Sequence, residues 1–196
     1  MTSGSPRQLW LLPVLLITVI ATALGALVTR DLYAEQETAP PAVVQSSRTE
    51  VPPSEQPGSP KVQGTPDAAA NPLFRTLQSL LQRYFDAVNA TDFDAWSTTV
   101  TAQRLEATPR EKWETDYRST KDGNILIYRI EATGDDTARV LLHFTSTQDP
   151  ASAPPELPVD CIHWNLVWAF ERERGEWLLA AGTTSQSPQH EACKTQ

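Results

Sequence analysis

The sequence predicts an α+β domain, helices first and a four-stranded antiparallel sheet after them, preceded by a transmembrane helix and a disordered linker. Three observations carry that prediction. A helical apolar stripe starts just after Asn71-Pro72, helix-start chemistry recurs in "ATDFDAW" and "TPREKWETDY", and every periodic segment beyond "KDGN" alternates with period two.

The chain has 196 residues, and its composition changes along its length. Residues 1–8 read as a short cytoplasmic end. Residues 9–28, "LWLLPVLLITVIATALGALV", are uncharged throughout and match the length a helix needs to cross a bilayer. They predict a single-pass anchor to the cell membrane with the C-terminal domain outside the cytoplasm. The competing reading is a cleaved signal peptide, since "ATA" supplies small residues after the apolar stretch from Leu9 to Ile20. Both readings export the remainder. Residues 29–71 are rich in proline and almost free of aromatic residues, so they read as a disordered spacer that cannot bury a core.

The folded domain is expected over 72–196. Leu73, Phe74, Leu77, Leu80, Leu81, Tyr84, Phe85 and Val88 fall, at helical spacing, within an arc of about 140°. Asp86 lies opposite that arc and is expected in solvent. A second helix begins in "TDFDAW", with Thr91 and Asp94 spaced as a capping box, so Asp92 and Asp94 read as helix-start residues. Asn89-Ala90-Thr91 matches a glycosylation sequon, which we set aside in a helix joint of a chain whose preference for arginine over lysine suggests a bacterial source. The third helix has Thr108 as cap and Pro109 in its first turn, with Trp113 and Tyr117 on one face. "KDGN" reads as its terminator.

Strands are expected at 124–133, 137–148, 161–173 and 176–186, with "GDD" and "RG" as hairpin turns and a Pro-rich loop between the pairs. In the third strand Ile162, Trp164, Leu166, Trp168 and Phe170 share the core face. Cys161, His163, Asn165, Val167 and Ala169 share the other.

The net charge of −8 excludes a nucleic-acid partner, which needs a basic stripe. Cys161 and Cys193 are the only cysteines, an even number in an exported domain. They predict a disulfide worth roughly 3 to 4 kcal/mol by chain entropy. The alternative is two free thiols. The histidines lack metal-ligand spacing, and no phosphate-cradling loop or nucleophile motif is present, so neither a metal nor another cofactor is expected.

A first helix ending in "YFDAVNATDFDAW", a short capped helix, and a sheet closed by "WNLVWAFERERGEWLLAAG" resemble the nuclear transport factor two-like superfamily. That superfamily includes ketosteroid isomerase and the SnoaL-like proteins. The resemblance spans about residues 72–186. It implies a curved, cone-like sheet around the long helix and a pocket between them, for which Tyr84, Trp96, Tyr117 and Tyr128 are lining candidates. It further implies, for an enzyme, a set of His143, His163, Tyr84 and Asp116, with Tyr128 nearby, in which a histidine is the general base and tyrosines hold a water. Period two turns both histidines away from the core rows, and no strand end supplies an obvious aspartate base. The expected function is therefore a membrane-anchored extracytoplasmic binding or assembly module without catalytic activity, its partner an unknown protein or small apolar ligand, with a homodimer through the sheet possible. The alternative is an exported isomerase or dehydratase acting on a small apolar ligand. A pocket carboxylate or histidine within reach of a second polar side chain would favour the enzyme, and a pocket plugged by Trp and Leu the binding module.

Overall fold

The computed structural model describes residues 52–182 and 189–193, within a compact unit that spans residues 50–196. The expected membrane helix at 9–28 lies outside the described residues, as does the first part of the linker. Among the described residues, no helix is long and apolar enough to cross a membrane.

The fold is α+β, but its sheet is larger and less uniform than four antiparallel strands. Among the described residues six strands take part: β1 (Gln63–Gly64), β2 (Lys121–Ala132), β3 (Thr137–Thr147), β4 (Cys161–Glu173), β5 (Glu176–Leu179) and β6 (Gln189–Ala192). Their order is β1-β2-β3-β4-β5, with β6 paired to β4 beyond β5's stretch of ladder. β1 runs parallel to β2, and all other pairs are antiparallel, so the sheet is mixed. Two register shifts interrupt the β2–β3 ladder, between Gly123 and Leu126 and between Ile127 and Arg129. Bulges of this kind bend a strand and tighten its twist.

The helices are α1 (Pro66–Ala69), α2 (Phe74–Ala90), α3 (Phe93–Ser97), α4 (Ala102–Glu106) and α5 (Arg110–Tyr117). The long helix α2 buries the predicted stripe. Leu77, Leu81, Phe85 and Val88 are fully enclosed, while Leu73, just ahead of the helix, packs at the margin. Asp86 sits in solvent, where it accepts a hydrogen bond from Gln82 Nε2 at 2.9 Å.

Several boundaries needed correction. The disordered linker does not extend to residue 71. Val62 is buried, its N–H donates to Gln82 Oε1 at 2.8 Å, and its carbonyl accepts from Gln78 Nε2 at 2.8 Å. Ser59 accepts from the Asn124 N–H at 2.8 Å and Thr65 Oγ1 donates to the Tyr128 carbonyl at 2.9 Å. This segment builds no core of its own. It is a strap whose backbone is satisfied by side chains of α2 and by β2, which composition alone does not reveal.

The cap assignments also shift. Thr91 is the left-handed C-cap of α2, with φ 54°, and no capping box forms. Asp92 caps α3, its Oδ1 accepting from the Ala95 N–H at 3.0 Å, while Asp94 sits in the first turn and pairs with Arg110. Pro109, not Thr108, precedes α5, and no side chain caps that helix. The unforeseen α4 is capped by Thr101, which accepts from the Arg104 N–H at 3.3 Å.

"KDGN" opens β2 instead of ending the helix, which stops at Tyr117, and Asn124 adopts φ 50° inside the strand at the first bulge. Gly123 is required there: a Cβ would stand 2.6 Å from the Gly58 carbonyl oxygen. β5 stops at Leu179, short of the predicted 186, since the next carbonyl, Ala180 O, accepts from the Arg104 side chain at 3.0 Å. β6, with no apolar alternation to announce it, ends just before Cys193, whose disulfide to Cys161 holds the two Cα atoms 5.4 Å apart.

Candidate functional site

One face of the sheet, α2, α4, α5 and the loop at 152–155 line a cavity of about 480 Å3 that opens to solvent. Its apolar wall follows from the two periodicities. Tyr84 and Phe85 come from the α2 stripe, and Phe144, Trp164, Leu166 and Trp168 from the even-numbered rows of β3 and β4. The rings interlock: Tyr84 meets Trp168 edge-on at 5.2 Å, and Phe85 meets Phe144 at 5.1 Å and stacks on Trp168 at 5.8 Å. Aromatic pairs in such geometries add about 0.5 to 1.5 kcal/mol each beyond burial and hold the wall rigid. Ile162 and Phe170 at the two ends of the β4 row are buried, whereas the three residues between them remain partly accessible through the cavity.

The polar lining comes from α4, α5, the start of β2, the end of β3 and the loop that follows it. Asp122, from the first turn of β2, is 5% exposed. Its Oδ1 accepts a hydrogen bond from Ser146 Oγ on β3, and both residues line the cavity. Burial pushes the Asp122 carboxyl from 3.8 up to about 7, against the opposing effects of the Ser146 hydrogen bond and the Lys121 charge. Asn89, in the last turn of α2, fixes the backbone that carries this carboxyl. The Asp122 N–H donates to Asn89 Oδ1 at 2.6 Å, and Asn89 Nδ2 donates back to the Asp122 carbonyl at 2.9 Å.

Tyr117, the last residue of α5, lines the cavity together with Tyr84. The neighbouring Tyr84 phenol, then burial, hold the Tyr117 hydroxyl well above its ordinary 10, so it stays protonated. Arg104 from α4 also lines the cavity, with its guanidinium carbon 5.9 Å from the Tyr84 ring centroid. Asp116 is at the rim and pairs with Lys112 on its own helix.

Of the residues proposed from sequence, Tyr84, Tyr117 and Asp116 thus come together at one cavity. Trp96 does not reach it. It is buried in an aromatic cluster with Phe93 and Trp113, at 5.4 Å from each ring, and Trp113 in turn packs on the cavity-lining Tyr117 at 5.1 Å. Tyr128, His143 and His163 are on the opposite face of the sheet, where the His143 ring centroid lies 6.4 Å from Tyr128 and 5.8 Å from His163. His143 Nδ1 is 3.1 Å from Asn165 Oδ1, and His163 Nδ1 is 2.9 Å from Thr145 Oγ1. The period-two argument that turned the histidines from the core rows also turns them from the cavity.

Sequence reasoning missed Asp122, Ser146 and Arg104. Asp122 was hidden inside a stretch that reads as a turn. Its signal is the Asp-Gly pair immediately ahead of "NILIYRI", at the mouth of a strand rather than at a helix end. Among the described residues no cluster of His, Cys, Asp and Glu could hold a metal.

No protein-family model and no curated protein matches the chain. Solved structures similar to it include a SEC-C motif containing protein from Rhodopseudomonas palustris, at 14% identity and TM-score 0.43 over 57% of this chain and 80% of that one. A ketosteroid isomerase-like protein from Erwinia carotovora atroseptica matches at 16% identity and TM-score 0.39, over 56% and 92% of the two chains. The Delta 5-3-ketosteroid isomerase from Mycobacterium sp. matches at 9% identity and TM-score 0.38, over 58% and 96%.

Proposed function

We propose that the domain binds a small, largely apolar molecule in the aromatic cavity and moves a proton on it, with Asp122 as acid and base. The single observation behind this reading is a buried carboxyl, hydrogen-bonded to Ser146, that opens onto an apolar cavity. Of the two outcomes set by the sequence, a pocket carboxylate beside a second polar side chain favours the enzyme over the binding module. A carboxyl that titrates at about 7 is part ionised at neutral pH, so it can take a proton and return it. Tyr84 and Tyr117 both line the cavity, and a phenol there can donate to a ligand oxygen on which negative charge develops. These groups suit proton abstraction next to a carbonyl, or elimination of water, on a ligand that fits about 480 Å3.

The disulfide supports an oxidising compartment for the domain. We place the domain outside the cytoplasm, held to the cell membrane by residues 9–28. Retention of the full chain in membranes after a carbonate wash is the expected result, and a soluble product starting near Leu24 would replace the anchor by a cleaved signal.

The proton-transfer reading is tested by deuterium exchange at the α-carbon of cyclic ketones in heavy water, followed by NMR. Exchange above buffer that is lost in Asp122→Asn is expected. Exchange no faster than buffer, or undiminished in Asp122→Asn, refutes the role of this carboxyl.

A further inference from the structure

The cavity contains a second charged group that the proton-transfer reading does not use. Arg104 is half-buried at the end of α4, and its Nη1 donates to the Ala180 carbonyl at 3.0 Å. Among the described residues, no carboxylate pairs with it, and Asp116, the other acid on the cavity rim besides Asp122, is held by Lys112. A guanidinium carries five donors in a planar fork that matches a carboxylate edge-on. One donor of Arg104 is accounted for by Ala180, which also fixes the orientation of the group. The remaining donors border the cavity beside the Tyr84 ring.

We infer that the ligand is an acid: an apolar body lies against Trp164 and Trp168, and its carboxylate is received by Arg104. This rests on the cavity being a ligand site and names the class of molecule it takes. The arrangement also orients the ligand. Arg104 attracts the carboxylate, while Asp122 repels it whenever ionised, so the anionic end is drawn toward α4. The uncharged reactive carbon is left beside Asp122.

The test compares 2-naphthoate with 2-naphthamide, which have the same ring system and differ in charge. Binding is followed by quenching of tryptophan fluorescence, using the full chain in zwitterionic lipid nanodiscs with empty nanodiscs as blank. The measurements are made at about pH 6, where an Asp122 carboxyl that titrates at about 7 is mostly neutral. The expected result is a preference for the acid of roughly tenfold or more, the scale of one charge-assisted bidentate contact. The preference should fall within about twofold in Arg104→Gln, whose binding of the amide persists, and should survive in part in Arg104→Lys. Persistent amide binding also shows that Arg104→Gln is folded. Equal binding of acid and amide by the unmodified protein, or a preference that survives in Arg104→Gln, overturns the acid assignment and leaves the proton-transfer reading intact. If neither compound binds, the ligand cavity itself is refuted and the acid assignment falls with it.

Discussion

Replacing Asp122 by asparagine tests the most consequential physical claim about the site, that a carboxyl is kept out of water there. The substitution preserves shape, and an amide oxygen can still accept the Ser146 hydroxyl. What it removes is the ability to ionise. In the unfolded chain the carboxyl loses its proton at about 3.8, and in the folded domain at about 7. Between those values the folded state binds one proton more than the unfolded state, so stability falls as pH rises. The favourable contribution of the protonated group is complete below about 3.8 and is lost as pH climbs through about 7. At 1.36 kcal/mol per pH unit, the interval corresponds to about 4 kcal/mol, an upper bound because any water that enters the cavity solvates the carboxylate. Urea unfolding of a chain starting at Glu50, with the disulfide intact, measures this directly. All other titrating groups cancel in the difference between variant and parent. Relative to the parent, Asp122→Asn should become more stable by about 1.4 kcal/mol per pH unit from about pH 4 to about pH 7, then level off. A difference that is flat across that range means that Asp122 ionises as freely in the fold as in the open chain, and the desolvated proton carrier is lost with it.

Asn89→Ala removes both hydrogen bonds that clamp the Asp122 backbone. It should cost about 1 to 3 kcal/mol in the same unfolding assay, while Asn89→Asp, which keeps the acceptor alone, should cost less than the alanine variant. Among the aspartates of "YFDAVNATDFDAW", Asp92→Ala should lose about 0.5 to 2 kcal/mol with its cap, and Asp86→Ala and Asp94→Ala should stay within roughly 0.5 kcal/mol in thermal melts. Reduction of Cys161–Cys193, which are 32 residues apart in sequence, should lower stability by roughly 3 to 4 kcal/mol, read as the shift in urea midpoint with and without reductant. No change on reduction would mean that β6 adds nothing to the fold.

The elements legible in sequence were those whose burial leaves a period. The stripe from Leu73 to Val88 and the even row of β4 are long enough for packing to dictate every third or second residue, and they form the cavity wall. The site's polar side was hidden for the opposite reason. Asp122 acts from a bulge, where Gly123 and Asn124 have the composition of a turn and the geometry of a strand, so local chemistry and tertiary role diverge. Asn89 looked like a possible glycan acceptor because its two partners are 33 residues further along the chain. The stretch "YFDAVNATDFDAW" supplies no carboxylate to the cavity. It supplies two rings, Tyr84 and Phe85, while its Asn89 holds the Asp122 backbone.

The strap of residues 59–65 also bears on how the protein can be cut. A version trimmed to begin at residue 72, where composition changes, would strip Val62 from its place and leave Gln78 and Gln82 facing an empty groove. Gly64, whose missing side chain leaves room for the Phe74 ring, would go too, baring one end of the long helix. Such a fragment would expose a sticky seam along β2 where β1 had been, an edge ready to accept a strand from another molecule. A protease or a cloning primer that respects the hydrogen bonds, rather than the prolines, has to work upstream of Pro57.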